Sequence, residues 1–184
     1  MKKKVYPITA NTRADFFQVH HHNHDCGWCC CVAWWIPTWE RWGDRSAAEN
    51  RNYRQELFDR GIWDGYLLAM DDVPVGWCQC GPRDQWPKLV QQYELQPDPN
   101  IWALTCFLVV PSFRKQGLSH FFLDELIRQL SLKGVQQVQA FPKRGHHSDD
   151  GEIWTGPETL FITSGFSLIR DHPAYPVYQK KLAS

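Results

Sequence analysis

Residues 101–119 read IWALTCFLVVPSFRKQGLS, ten almost wholly apolar positions followed by a proline, a basic loop and the start of a helical pattern. An apolar run this short suits a strand buried on both faces rather than one with a solvated side. Pro111 ends it. The loop Arg114, Lys115, Gln116, Gly117, Leu118 and Ser119 then offers what an anion needs at a helix start. Unpaired N–H groups point out of the first turn, the helix dipole adds partial positive charge, and Gly117 removes the side chain that would hinder close approach. Two cationic side chains sit beside it, and a diphosphate matches the arrangement. The plainer alternative is an ordinary strand-to-helix connection in which Gly117 serves only the turn.

The glycine spacing narrows the diphosphate. The chain has neither GxxxxGK[ST] nor GxGxxG, which excludes the common nucleotide loops. The loop instead fits [RQ]-x-x-G-x-[GAS], preceded by Val109, Val110 and Pro111. In this setting the pattern resembles the acyl-coenzyme A loop of the GNAT N-acetyltransferase superfamily, in particular bacterial-type members with a Cys/Trp-rich N-terminal segment. The resemblance implies an α/β (α+β) fold in one domain over residues 1–184. Its mixed, mostly antiparallel sheet would have six to seven strands, helices on both faces and a central parallel pair that splays to hold acetyl-coenzyme A. It also implies that Leu108, Val109, Val110, Arg114, Lys115, Gln116, Gly117, Leu118, Ser119 and Phe161 contact that cosubstrate.

The rest of the composition is compatible. With 184 residues the chain has room for one sizeable core. Lys plus Arg equals Asp plus Glu at 20 each, so no global field favours nucleic acid or an anionic membrane. No apolar run approaches a membrane span, and the start MKKKVYPITANTRAD lacks the apolar region of a secretion signal. A cytoplasmic location is expected, with a small-molecule or peptide amine as partner; a homodimer is left open. Seven cysteines in such a chain are expected to be reduced thiols.

Residues 5–9 read as a first strand and Thr12 as the N-cap of a helix over 13–21. The next segment, residues 20–46, concentrates His20, His21, His22, His24, Asp25, Cys26, Cys29, Cys30 and Cys31. Cys26 and Cys29 have C-x-x-C spacing, but no second knuckle lies at a suitable distance, and Cys78 and Cys80 share one face of a strand. The thiols are read as small buried hydrophobes and no metal ligand is assigned. This segment is where the family shapes its acceptor pocket, so Trp34 and Trp35, with Trp86 further on, are the candidate acceptor contacts.

A helix is expected over 47–60 and stops at Gly61. Strands over 62–70 and 75–80 follow, joined by a turn at Asp71, Asp72, Val73 and Pro74, with Gly76 marking a bulge or close packing. Residues 81–100 look too polar for core; Arg83, Trp86 and Tyr93 there are read mainly as solvated loop. After the loop, Leu118, Phe122, Leu126 and Leu130 repeat at i, i+4 in a helix over 117–133. A strand over 135–141 completes a parallel pair with a right-handed crossover. The polar loop 143–152 carries His146 and His147, read as surface. A short helix ending near Ser164 and two strands over 166–170 and 177–182 close the chain. The final -L-F-I-T-S-G-F- resembles the family's -L-Y-x-x-x-G-F-.

That last match has one departure. Phe161 stands where the family often has a tyrosine that protonates the leaving thiolate, and phenylalanine has no proton to give. Three readings stay open: water or another donor such as Tyr175 or Ser164, unassisted departure, or binding without turnover. Cys106 is the cofactor strand's titratable side chain and is read as inert. The resemblance implies direct attack of a neutral primary amine on the thioester, with a backbone N–H near Val109 polarising the carbonyl. A non-catalytic acyl-coenzyme A sensor and a Cys/His metal or redox protein are the competing classes.

Overall fold

The computed structural model describes residues 2–23, 27–144 and 154–182. Its seven strands are β1 (Lys3–Pro7), β2 (Gly65–Met70), β3 (Val73–Pro82), β4 (Ile101–Val109), β5 (Gln137–Ala140), β6 (Ser167–Arg170) and β7 (Val177–Lys181). They form one sheet in the order β1-β2-β3-β4-β5-β7-β6. Among the described residues only β4 and β5 pair in parallel. The helices are α1 (Arg13–His21), α2 (Ala47–Asp59), α3 (Pro87–Gln92), α4 (Leu118–Leu132) and α5 (Glu158–Thr163).

The apolar stripe of α4 explains one face. Leu118, Phe122, Leu126 and Leu130 are all buried, against Leu68, Leu104, Phe107 and Val109 of the sheet and Leu160 and Phe161 of α5. Burying each such side chain contributes about 1.5–3 kcal/mol. On the other face, Phe16, Phe17 and Val19 of α1 and Phe58 of α2 meet Leu67, Trp77, Cys106 and Leu108. Ser46 and Glu49 form a reciprocal capping box that starts α2, satisfying two N–H groups the helix would leave orphaned.

Two local expectations are corrected and a third is resolved. The β2–β3 turn is two residues, because Asp71 and Asp72 take φ of 46° and 66°, the left-handed pair of a type I′ hairpin. Val73 and Pro74 are therefore strand, paired with Met70 and Ala69. Residues 81–100 are not a solvated excursion: Trp86, Leu89 and Tyr93 bury with Trp34, Ala103, Phe141 and Val177 in a third cluster. Their apolar positions follow α3, whose six residues were too few to stand out as a period. Gly76 takes the close-packing role, since a Cβ there would meet the Leu108 carbonyl and Leu68 Cβ at 3.2 Å.

β4 carries the feature on which the site depends. It pairs with β5 only from Ile101 to Leu104 and then runs on to Val109 alone on that side. Its ladder with β3 slips between Gln79 and Cys80, leaving Thr105 as the extra residue of a bulge. Beyond the bulge the strand diverges with increased twist. A wedge opens between β4 and β5.

Candidate active site

At the C-terminal mouth of the wedge is a cavity of about 310 Å³, lined by Val109, Lys115, Gly117, Leu118, Ser119 and His120 on one side and Pro157, Leu160 and Thr163 on the other, with Phe113, Arg114 and Thr159 completing it. Lys115 and Gly117 hold φ of 60° and 72°; the second is the N-cap of α4. This left-handed entry places the first N–H groups of α4 beside the cavity, and no carbonyl among the described residues accepts from them. A Cβ on Gly117 would meet nothing within 4 Å, so a side chain here would protrude into open space. The cradle fits an anion. Arg114 is less available than its position suggested: its Nε donates to the Val109 carbonyl at 2.9 Å and its Nη2 to Asn23 Oδ1 at 3.4 Å. It braces the end of β4, and Lys115 is the cation facing the cavity.

Along the diverging edge of β4 two backbone groups are held by tryptophans. The Phe107 N–H donates to the Trp154 carbonyl at 2.8 Å, and the Trp34 indole N–H donates to the Thr105 carbonyl at 3.4 Å. Gly156 permits the first contact. Its φ is 89°, and a Cβ would press on Phe107 Cβ at 3.2 Å and the Phe161 ring at 3.1 Å. Beyond these tryptophans lies a second cavity of about 290 Å³, walled by Trp34, Trp39, Tyr93, Phe141, Trp154 and Tyr175. Thr105 and Val109 are four residues apart, about 13 Å of strand, so the tryptophan contact at Thr105 and the cavity at Val109 lie along one stretch of β4.

Beneath the bulge is a buried polar network. Arg54 Nη1 donates to Asp64 Oδ1 at 2.6 Å with both side chains essentially inaccessible. Gln79 Nε2 donates to Asp64 Oδ2 at 2.7 Å and Thr105 Oγ1 to Gln79 Oε1 at 2.9 Å. Arg54 also grips the carbonyls of Cys30 and Cys31, which sit at φ of 43° and 48°. Two consecutive left-handed residues cost about 1–3 kcal/mol each for non-glycine side chains, and the guanidinium offsets this. Cys29, Cys30 and Cys31 are buried thiols. Burial pushes Cys30 up to about 12 and Cys31 well above its usual range, while a hydrogen bond with Cys31 does most to raise Cys29. Such thiols are poor nucleophiles. His24, Asp25 and Cys26, and with them half of the C-x-x-C, lie outside the described residues, as do His146 and His147. Among the described residues no group of three or more His, Cys, Asp or Glu side chains is arranged to hold a metal.

The cofactor-side residues expected from the sequence divide accordingly. Val109, Arg114, Lys115, Gly117, Leu118 and Ser119 come together at one cavity. Leu108 and Val110 point into the α1 face, Gln116 leans on the Ser112 carbonyl, and Phe161 is fully buried beside Phe166. Of the acceptor candidates, Trp34 lines the aromatic cavity. Trp35 donates to Asp64 Oδ2 at 2.8 Å and Trp86 is wholly buried. The strand irregularity expected near Val109 lies at Thr105 instead. Sequence reasoning missed His120, bonded to Thr163 Oγ1 at 2.9 Å, and the Asp64 network. It also missed Glu158, which accepts from Arg144 and from the Tyr178 hydroxyl at 2.6 Å; the Arg144 contact holds its carboxyl below the usual range.

The family model described as the acetyltransferase (GNAT) family matches residues 19–147. The chain belongs to the GNAT acetyltransferase family. It is therefore an acyl-coenzyme A dependent acetyltransferase, with acetyl-coenzyme A as cosubstrate. Solved structures similar to this GNAT protein include an acetyltransferase from Thermus thermophilus, at TM-score 0.60 and 17% identity over 99% of this chain and 98% of that one. The PaiA N-acetyltransferase from Thermoplasma acidophilum, in complex with coenzyme A, gives 0.55 and 11% over 98% and 99%. An N-acetyltransferase from Staphylococcus aureus gives 0.57 and 12% over the whole of both chains. At these identities the likeness is one of fold. A comparison with curated protein sequences found no match. No described helix of this GNAT protein is long and apolar enough to cross a membrane.

Proposed function

We propose that the chain moves an acetyl group from acetyl-coenzyme A to a primary amine by direct attack, with the diphosphate at the α4 N-terminus and the acyl end at the Thr105 bulge. The observation that supports this reading most is the wedge, which runs from a cavity of backbone donors at Gly117 to an aromatic cavity at Trp34. Leu118, Ser119 and His120 supply N–H groups, Lys115 supplies charge, and Gly117 permits the approach. The arm of the cosubstrate lies along Val109 and Phe107, adding to the strand edge by backbone pairing. The Phe107 N–H, which in this structure donates to Trp154, is the donor that would polarise the thioester carbonyl once that contact yields.

The amine lone pair forms the C–N bond, the C–S bond breaks, the sulfur leaves as thiolate, and the proton released from nitrogen passes to water. A thiol pKa near 8.5 makes the thiolate a fair leaving group. Phe161 cannot assist, and Ser164, half-buried at the end of α5 with its carbonyl accepting from Lys180 Nζ, lines neither cavity. Of the two hydroxyl candidates, Tyr175 lines the acceptor-side cavity, and it is the assisting donor in this reading. Release of coenzyme A thiol over an amine panel tests the proposal. Amine-dependent release supports it; binding of acetyl-coenzyme A without release from any amine contradicts it.

A further inference from the structure

Past Leu104, where β5 stops pairing, the open side of β4 is held by other segments of the chain. Backbone groups of alternate residues face one edge of a strand, and those of Thr105, Phe107 and Val109 are each taken. The Thr105 carbonyl accepts from Trp34 Nε1 at 3.4 Å and the Val109 carbonyl from Arg114 Nε at 2.9 Å, while the Phe107 N–H donates to the Trp154 carbonyl at 2.8 Å. The two carbonyls are braced by side chains. The N–H is met by backbone, and a peptide carbonyl is a close chemical likeness of a thioester carbonyl. Trp154 therefore stands where the proposed acetyl transfer puts the acyl group.

The seat is shaped for this segment. Gly156, at φ of 89°, lies so close to the strand that a Cβ would meet Phe107 Cβ at 3.2 Å and Phe161 Cζ at 3.1 Å. The Trp154 ring centroid is 6.0 Å from that of Trp34, and both rings wall the aromatic cavity. Beyond Gly156 the chain is anchored, with Pro157 at the N-cap of α5 and Leu160 and Phe161 in the core.

The docked state is nonetheless lightly held. Residues 154 and 155 form a turn rather than a strand, and among the described residues the Phe107 bond is the one backbone hydrogen bond between 154–156 and β4. Docking also leaves Thr155 Oγ1, on a residue 5% exposed, without a hydrogen bond among the described residues. A buried hydroxyl left unmet weakens the state that buries it.

Resting on the proposed acetyl transfer, we infer that residues 154–156 are an autoinhibitory strap. The Trp154 carbonyl occupies the Phe107 N–H until the acyl arm of acetyl-coenzyme A displaces it, and the same movement shifts the Trp154 ring in the wall of the aromatic cavity. Strap and arm compete for one donor, so the measured affinity is the intrinsic affinity reduced by the fraction of molecules with the strap undocked. Loosening the strap should therefore tighten binding. A Trp154 that served only as cavity wall would do the opposite, since its loss removes contacts.

Calorimetry on Trp154→Ala, which removes a half-buried ring, is the first test. Its Kd for acetyl-coenzyme A should fall at least threefold, with Kd unchanged for adenosine 3′-phosphate 5′-diphosphate, which carries the diphosphate but no arm. A second measurement uses the unaltered protein. Trp154–Thr155 is the chain's one Trp-Thr pair, so carbonyl-13C tryptophan with 15N threonine isolates the Trp154 carbonyl resonance. Saturating acetyl-coenzyme A should move it upfield, as loss of a hydrogen bond does, and the armless nucleotide should not. An unchanged or raised Kd for acetyl-coenzyme A in Trp154→Ala, an equal fall for both ligands, or an unmoved Trp154 carbonyl overturns the strap and leaves acetyl transfer standing. Failure of the unaltered protein to bind acetyl-coenzyme A overturns both.

Discussion

The two ends of β4 are built by different means. At Val109 the site is made of backbone: a proline that ends the strand, two left-handed residues and the open N–H groups of α4. At Thr105 it is made from segments far apart in the chain, by the side chains of Trp34, Arg54, Asp64 and Gln79 and the carbonyl of Trp154. In the proposed reading the first end takes a diphosphate, whose geometry never varies, and the second shapes an acceptor pocket, whose contents differ with the amine. A backbone site needs few residue identities and tolerates change around it; a side-chain site fails when one member is lost.

The sharpest way to break that contrast is Asp64→Ala. It leaves the Arg54 guanidinium buried without its carboxylate, and loss of one partner from a buried pair costs on the order of 3–5 kcal/mol. Urea denaturation should show a loss of that size, together with faster exchange of the Cys30 and Cys31 amides. A loss under about 1 kcal/mol would mean the network is dispensable.

Acid probes the same end through His20. Burial lowers its pKa to about 3 from 6.5, so between those values the unfolded chain binds a proton that the folded chain refuses. The unfolded state then holds more protons, and stability must fall as pH falls. From pH 6.5 to 5, above most carboxylate titrations, His20 alone should remove about 2 kcal/mol. His20→Gln should flatten that slope by about one proton.

The opposite end should respond in binding rather than stability. Gly117→Ala places a methyl where φ is 72° and the cavity opens, costing about 1 kcal/mol of fold and at least tenfold in coenzyme A affinity by calorimetry. Lys115→Ala should weaken coenzyme A about threefold to tenfold, an effect that shrinks as salt rises. Smallest of all, Tyr175→Phe should lower kcat less than tenfold with KM for acetyl-coenzyme A unchanged.

The contrast also explains what the sequence disclosed. Pro111, Gly117 and the Leu118, Phe122, Leu126, Leu130 stripe are local signals, readable within a few residues. They marked the end of β4, the start of α4 and the helix face that packs on the sheet. The Arg54, Asp64, Gln79 and Thr105 chain spans 51 residues between its ends, counted from 54 to 105, and no local pattern announces it. Arg83, Trp86 and Tyr93 were misjudged because polar neighbours and four prolines concealed a short helix that buries its apolar side. Trp154 lacked any periodic context, so its carbonyl contact with Phe107 had no signature at all.

Amide chemical shifts during a titration with coenzyme A test the central claim most directly. The account predicts that Gly117, Leu118, Ser119 and His120 move most, followed by Phe107 and Val109, with Lys3 to Pro7 of β1 unaffected. Saturable binding that leaves the amides of Gly117 to His120 unmoved would contradict it.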